Sequence, residues 1–187
     1  VETELTTAYI SLGSNLGDRA GNLLFAVRGL LEASFTINKL SAIYETEPFD
    51  VENQGAFLNL AAEIHINNIS ATQMMARMLR IEYLLGRRNK TEKKPRTVDL
   101  DLLLFGDYQC DTQFLILPHP RMHERRFVLT PLAEISPQIV HPGLQKNVGE
   151  LLNECGDFSI VKRWNPNGKH ARESEKLKRF AKSEMID

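Results

Sequence analysis

The stretch from Arg87 to Phe105, RRNKTEKKPRTVDLDLLLF, constrains the chain more than any other because its character changes in the middle. Its first half sets Arg87, Arg88, Lys90, Lys93, Lys94 and Arg96 against a single acid, Glu92, and reads as a basic loop. From Val98 it alternates briefly and then turns wholly apolar, the pattern of a buried strand that opens to solvent at one end. Asp99 and Asp101 fall at that open end. Side chains two apart on a strand project from one face, about 6.6–6.8 Å apart. The two carboxylates are therefore expected together on one face, with Leu100, Leu102 and Leu104 on the other, toward a core.

Two carboxylates this close repel, so a cation belongs between them. A divalent metal is the natural candidate: Mg²⁺ takes oxygen ligands and is usually held by one or two carboxylates plus substrate phosphates. The basic loop would supply cations to a polyphosphate, and the combination points to phosphoryl transfer. Taken singly, each feature has a plainer reading, a solvated Asp-x-Asp at a strand end or a soluble basic surface. What joins them is that the loop runs straight into the strand through Pro95-Arg96-Thr97.

With 187 residues, 42% of them hydrophobic and 25% charged, the chain can bury one core, so one domain is expected. A net charge of −1 makes the basic loop a local feature and argues against global attraction to nucleic acid or membrane. No apolar run is long enough to span a bilayer and no leader pattern opens the chain, from which a soluble, cytoplasmic protein is expected. Cys110 and Cys155 have no framework spacing and read as reduced, structural residues.

Along the chain, Thr7 to Gly13 alternates and ends in glycine, a strand running into the loop Gly13-Ser14-Asn15-Leu16-Gly17, which lacks both common nucleotide-binding glycine patterns. Asp18 caps a helix with Leu23, Leu24, Val27, Leu30 and Leu31 at helical spacing. Phe35 to Tyr44 reads as a strand that ends by Pro48, and Ala56 to Ile66 as another. Asn59 within it either meets solvent or presents a donor and an acceptor to a heterocycle. Ser70 caps a helix striped by Met74, Met75, Met78, Leu79, Tyr83 and Leu84. The Asp-bearing strand then completes β-α-β-β-α-β, an α+β, ferredoxin-like core with a mainly antiparallel sheet, helices on one face and the other face left for a ligand. Beyond it come a small hairpin within Tyr108 to Leu117, a second basic cluster PHPRMHERRF, helices over Phe127 to Ile135 and Asn147 to Cys155, and Trp164 closing the fold as part of a C-terminal helical extension. His119 and His123 are four apart, but Pro120 interrupts a helix and no third ligand follows, so zinc is not expected. Residues 1–164 are taken as one domain and 165–187 as a charged tail.

Gly13-Ser14-Asn15, Tyr44-Glu45-Thr46, Phe57-Leu58-Asn59, Gly86-Arg87, the run Pro95 to Asp101 and Pro118-His119-Pro120 occur in the order and at the spacing of a known family. From Thr7 to Trp164 the chain resembles the 6-hydroxymethyl-7,8-dihydropterin pyrophosphokinases of folate biosynthesis. The resemblance implies transfer of diphosphate from ATP to the pterin hydroxymethyl group, with attack at the β-phosphorus and release of AMP. It implies that Asp99 and Asp101 hold two Mg²⁺ ions, and that Arg87, Arg96, His119 and Arg125 bind phosphate, with Arg87 and Arg96 also catalytic alongside the aspartates. It implies that Asn59 bonds the pterin edge, that Phe57 and Phe127 form its aromatic walls, and that Thr46 and Phe49 belong to a loop contacting it. Glu82 matches a family acid whose role the resemblance does not define. The lid lacks the family's arginine and tryptophan and is one residue shorter over Asn89 to Lys94, which implies weaker closure. A monomer with ATP and a dihydropterin as its small-molecule partners is expected. An alternative of the same broad class is another Mg-dependent, ATP-using transferase acting on a related heterocyclic alcohol. Alternatives of other classes are an RNA-binding module, whose central strands would expose aromatics where this chain has Asp99 and Asp101, and a non-catalytic regulatory small-molecule domain.

Overall fold

The computed structural model describes residues 5–46, 55–87 and 95–166. The basic segment 88–94, Phe49 with the rest of 47–54, and the charged tail from 167 onward lie outside the described residues.

Strand β1 (Thr6–Ser14) is central, antiparallel to β4 (Phe57–Ile66) on one side and to β5 (Asp99–Phe105) on the other. The far edge of β4 is shared by two short strands, β2 (Thr36–Leu40) and β3 (Tyr44–Thr46). The expected single strand over Phe35–Tyr44 is thus divided. Ser41 bridges the gap, its amide donating to the Ala61 carbonyl and its hydroxyl accepting from the Ala61 amide. Two further hairpins pair β6 (Cys110–Asp111) with β7 (Ile116–Leu117) and β8 (Val140–His141) with β9 (Lys146–Asn147). A last strand, β10 (Val161–Arg163), extends the main sheet beyond β3, and the Trp164 amide bonds the Ile43 carbonyl. The extension that sequence reading makes helical therefore ends in a strand.

Helices α1 (Arg19–Glu32) and α2 (Ala71–Leu84) form because their apolar positions recur every three to four residues and because each start is capped. Asp18 accepts from the Gly21 amide, and Ser70 with Gln73 makes a reciprocal capping box. Their buried faces meet Ala8, Ile10 and Leu12 of β1, alternate residues of β4 from Leu58 to Ile66, and Leu100 and Leu102 of β5.

The opposite face is shared rather than left wholly to a ligand. Helices α3 (Arg126–Ile135) and α4 (Val148–Glu154) pack there, burying Val128, Leu129, Leu132, Val148 and Leu151 against Ala61, Leu103 and Leu104. Each fully buried aliphatic side chain contributes about 1.5–3 kcal/mol. Leu104 belongs to this second face, not to the first as strict alternation predicts. Tyr9 pairs with Leu104 and Ile10 with Leu102, so Leu103 is an extra residue in β5, and the bulge inverts the facing of the residues after it.

A polar strut ties α3 to the sheet. The Glu63 carboxylate, 4% exposed, accepts from Ser136 Oγ at 2.6 Å, Lys39 Nζ at 3.0 Å, Tyr9 OH at 3.2 Å and Asn38 Nδ2. Burial alone would raise the Glu63 pKa, but the Ser136, Asn38 and Lys39 bonds prevail and hold it at about 2. At the other end of the helix, Asp157 accepts from the Arg126 amide at 2.8 Å and fixes the start of α3. Among the described residues no helix is long and apolar enough to cross a membrane.

Candidate active site

The face that carries α3 leaves one end of β5 accessible, and the register gathers the chemistry there. Gly13 lies opposite Asp99 on one side and Asn59 on the other, while Ser11 lies between Asp101 and Ala61. Asp99, Asp101, Gly13 and Asn59 thus share one patch of sheet. Gly13 keeps it open: a Cβ there would meet Asn59 Oδ1 at 3.1 Å and lie 3.9 Å from both Asp99 Cβ and Phe57 Cδ1.

Around Asp99 sit the expected cations. Arg87 Nη1 donates to Asp99 Oδ1, and Arg96 Nη2 lies 3.0 Å from Asp99 Oδ2. Arg87 also donates to Glu82 Oε1 at 2.7 Å, and only 6% of its side chain is exposed. Burial would lower the Arg87 pKa, yet the carboxylates of Asp99, Glu82 and Asp101 raise it above the usual value. Arg87 is delivered by Gly86, whose φ of +94° turns the chain out of α2 in a conformation that favours glycine.

Arg96 is fixed through its main chain. Its amide donates to Asn15 Oδ1 at 2.8 Å, and its carbonyl accepts from the Asn15 amide at 3.2 Å. The glycine-containing loop after β1 is therefore a clasp for the strand entry of β5. Arg96 Nε is buried with no hydrogen-bond partner among the described residues, a donor that suits an incoming acceptor. Its guanidinium stands 5.5 Å from the Phe57 ring centre, and that of Arg125 stands 5.7 Å from the Phe127 ring. Burial lowers the Arg125 pKa, and neighbouring Arg121 lowers it further. Asp101 and Asp99 act in the opposite sense, which places Arg125 in the field of the same carboxylates.

His119 is anchored by its amide to the Leu103 carbonyl at 2.9 Å, next to the bulge. Its Nδ1 accepts from the Arg121 amide at 3.2 Å, which puts the proton of a neutral ring on Nε2. Asn59 is 2% exposed and donates to Thr46 Oγ1 at 3.2 Å, so the reading in which it meets solvent does not hold. Arg19 brackets the segment that holds Phe49, donating to Glu45 at 2.9 Å before it and to the Ala56 carbonyl at 2.6 Å after it.

The Asp pair offers hard carboxylate oxygens, the kind of donor magnesium takes. Among the described residues no group of three or more His, Cys, Asp or Glu is disposed to hold a metal. Two carboxylates beside several cations suit Mg²⁺, whose remaining ligands are water and phosphate. His123 lies beside His141, with ring centres 6.1 Å apart, and not on the Asp pair.

A family profile described as 7,8-dihydro-6-hydroxymethylpterin-pyrophosphokinase (HPPK) matches residues 9–137 of the chain. The chain belongs to that family. It is 48% identical over 133 residues to the 2-amino-4-hydroxy-6-hydroxymethyldihydropteridine pyrophosphokinase of Bacillus subtilis, covering 71% of this chain and 79% of that one. To the enzyme of the same name from Aquifex aeolicus it is 35% identical over 150 residues, covering 80% and 92%. A crystal structure of wild-type Plasmodium falciparum HPPK-DHPS with pteroate superposes with a TM-score of 0.64 at 16% identity. That match covers 82% of this chain and 45% of the other, and the likeness is one of fold. Membership makes the chain a pyrophosphokinase acting on the hydroxymethyldihydropterin in folate synthesis.

Sequence reasoning misses or leaves undefined several contributors. Glu82 is 2% exposed and accepts from both Arg87 and the Leu100 amide, the latter at 2.7 Å. Its signal is a charge four residues after Met78, on the buried stripe of α2. Asn15 sits in a loop with neither common nucleotide-binding pattern, and Asp157 and Arg19 act across distances that no local pattern records.

Proposed function

We propose that this patch performs the transfer with a division of labour among its residues. Asp99 and Asp101 would hold two Mg²⁺ ions, and Arg87, Arg96, His119 and Arg125 bind the phosphates of ATP. Thr46, Asn59, Phe57, Phe127 and Phe49 receive the pterin. Mg²⁺ held by the two aspartates would neutralise charge that develops on the transferring group. The hydroxymethyl oxygen bonds to the β-phosphorus and loses its proton, the bond from that phosphorus to the α–β bridging oxygen breaks, and AMP departs with the electron pair.

The observation that carries this reading is the gathering of the two aspartates, Gly13 and Asn59 on one patch, with the Arg87 and Arg96 guanidinium groups at Asp99. The chain's own work is positioning. Asn59, pinned by Thr46, offers its amide to the heterocycle edge, and Gly13 leaves room for the ring. The arginines fork onto phosphate oxygens as planar, permanently charged donors. Phe57 and Phe127 can exchange the guanidinium groups over them for the flat pterin. Because phosphoryl transfer asks mainly for alignment and charge stabilisation, no strong general base is required near the aspartates.

The sheet order β5-β1-β4 with β2 on the edge supports a ferredoxin-like core, and we read residues 1–164 as one domain with 165–187 as a tail. Asp101→Ala tests the site. Turnover should fall about 10²–10³-fold or more, while calorimetric binding of the pterin in the presence of a non-cleavable ATP analogue persists. Full turnover in that variant contradicts the metal assignment.

A further inference from the structure

Glu82 lies at the base of the site and on none of the surfaces assigned to substrate. It is a carboxylate on α2 at 2% exposure, a placement that is costly unless its bonds act together. Two donors to its Oε1 belong to the Asp pair's surroundings. The Leu100 amide, at 2.7 Å, is the main-chain group between Asp99 and Asp101, and Arg87 Nη1, also at 2.7 Å, is the atom that donates to Asp99. One carboxylate thus holds the strand segment carrying both aspartates and shares the cation that sits on one of them.

We propose that Glu82 is a positioning residue that sets the metal affinity of Asp99 by sharing Arg87 with it. The inference rests on the reading of Asp99 and Asp101 as metal ligands. Arg87 and Arg96 both sit on Asp99, so a divalent ion bound by Asp99 would compete with guanidinium groups for its oxygens. With a second carboxylate to hold it, Arg87 can leave Asp99 without becoming a buried, uncompensated charge. Without Glu82, Arg87 is held more firmly on Asp99, and the state competent for metal is less populated; apparent affinity falls with that population. The Leu100 bond keeps the two aspartates fixed while the exchange occurs.

The test uses Mn²⁺ as a paramagnetic stand-in for Mg²⁺, titrated by electron paramagnetic resonance into the protein saturated with an ATP analogue whose α–β bridge cannot break. Glu82→Gln, similar in size and without charge, should raise the apparent Mn²⁺ dissociation constant about tenfold. In an Arg87→Ala background the same substitution should change it less than about twofold, since the shared cation is gone. Equal weakening in both backgrounds would mean that Glu82 acts directly on the ion, and no weakening in either would mean that it is only structural; both overturn the proposal. Wild-type binding that survives Asp101→Ala would instead overturn the metal assignment, and this inference with it. If Glu82→Gln does not fold, Arg87→Ala alone decides, read with Mn²⁺ and no nucleotide: relieving Asp99 of the guanidinium should tighten binding at least about threefold, and unchanged or weaker binding contradicts the relay.

Discussion

At the scale of single residues, the site works because small or polar positions on β1 and β4 face the aspartates of β5. Gly13 is the sharpest case. A methyl group there meets Asn59 Oδ1 at 3.1 Å, tighter than an ordinary contact, and overpacking of this kind costs about 1–3 kcal/mol. Gly13→Ala should therefore raise the pterin KM about tenfold and leave the ATP KM nearly unchanged. Steady-state kinetics with each substrate varied would show this, and an equal rise for ATP would misplace the ring. The Asp pair and its cations were legible from Asp-x-Asp and the basic run before it, since strand period alone puts both carboxylates on one face. The roles of Asn15 and Glu82 were not legible, because a loop amide and a buried acid gain meaning only from the strand entry and the guanidinium that folding brings to them.

At the scale of elements, α3 couples the polar strut to Phe127, the proposed pterin wall. It carries Phe127 in its first turn and is fixed at one end by Asp157 and at the other by Ser136 on Glu63. Asp157→Ala removes the acceptor of the Arg126 amide and should cost about 1 kcal/mol of stability, with a several-fold lower kcat/KM for the pterin. A melting curve paired with kinetics checks it, and lost stability with unaltered kinetics would detach Phe127 from the site. Glu63 gives a pH signature. Its folded pKa is depressed from 4.5 to about 2, so its stabilisation is present in full above about 4.5 and disappears as pH falls toward 2. A shift of this size corresponds to roughly 3 kcal/mol. In Glu63→Gln this contribution should be absent, so the difference in denaturation free energy from the wild type should shrink across that window. A constant difference would show that the carboxylate is not what the strut depends on. Element types were legible from periodicity and caps. The bulge at Leu103 and the division of the β4 edge were not, since neither alters local alternation enough to announce itself; pairing with Tyr9 and with Ala61 decides them.

At the scale of the whole molecule, one sheet serves two purposes. One face buries α1 and α2 over an apolar cluster, and the other is divided between α3 with α4 and the accessible end where the aspartates lie. The site is thereby built on strands held from both sides, with the arginines arriving at the strand's entry. The most direct measurement mixes the protein with ATP, Mg²⁺ and 6-hydroxymethyl-7,8-dihydropterin and separates the nucleotide products. AMP should form only with the pterin present, in equal amount to the pterin diphosphate. ADP as the matching product, or AMP formed without the pterin, would contradict it.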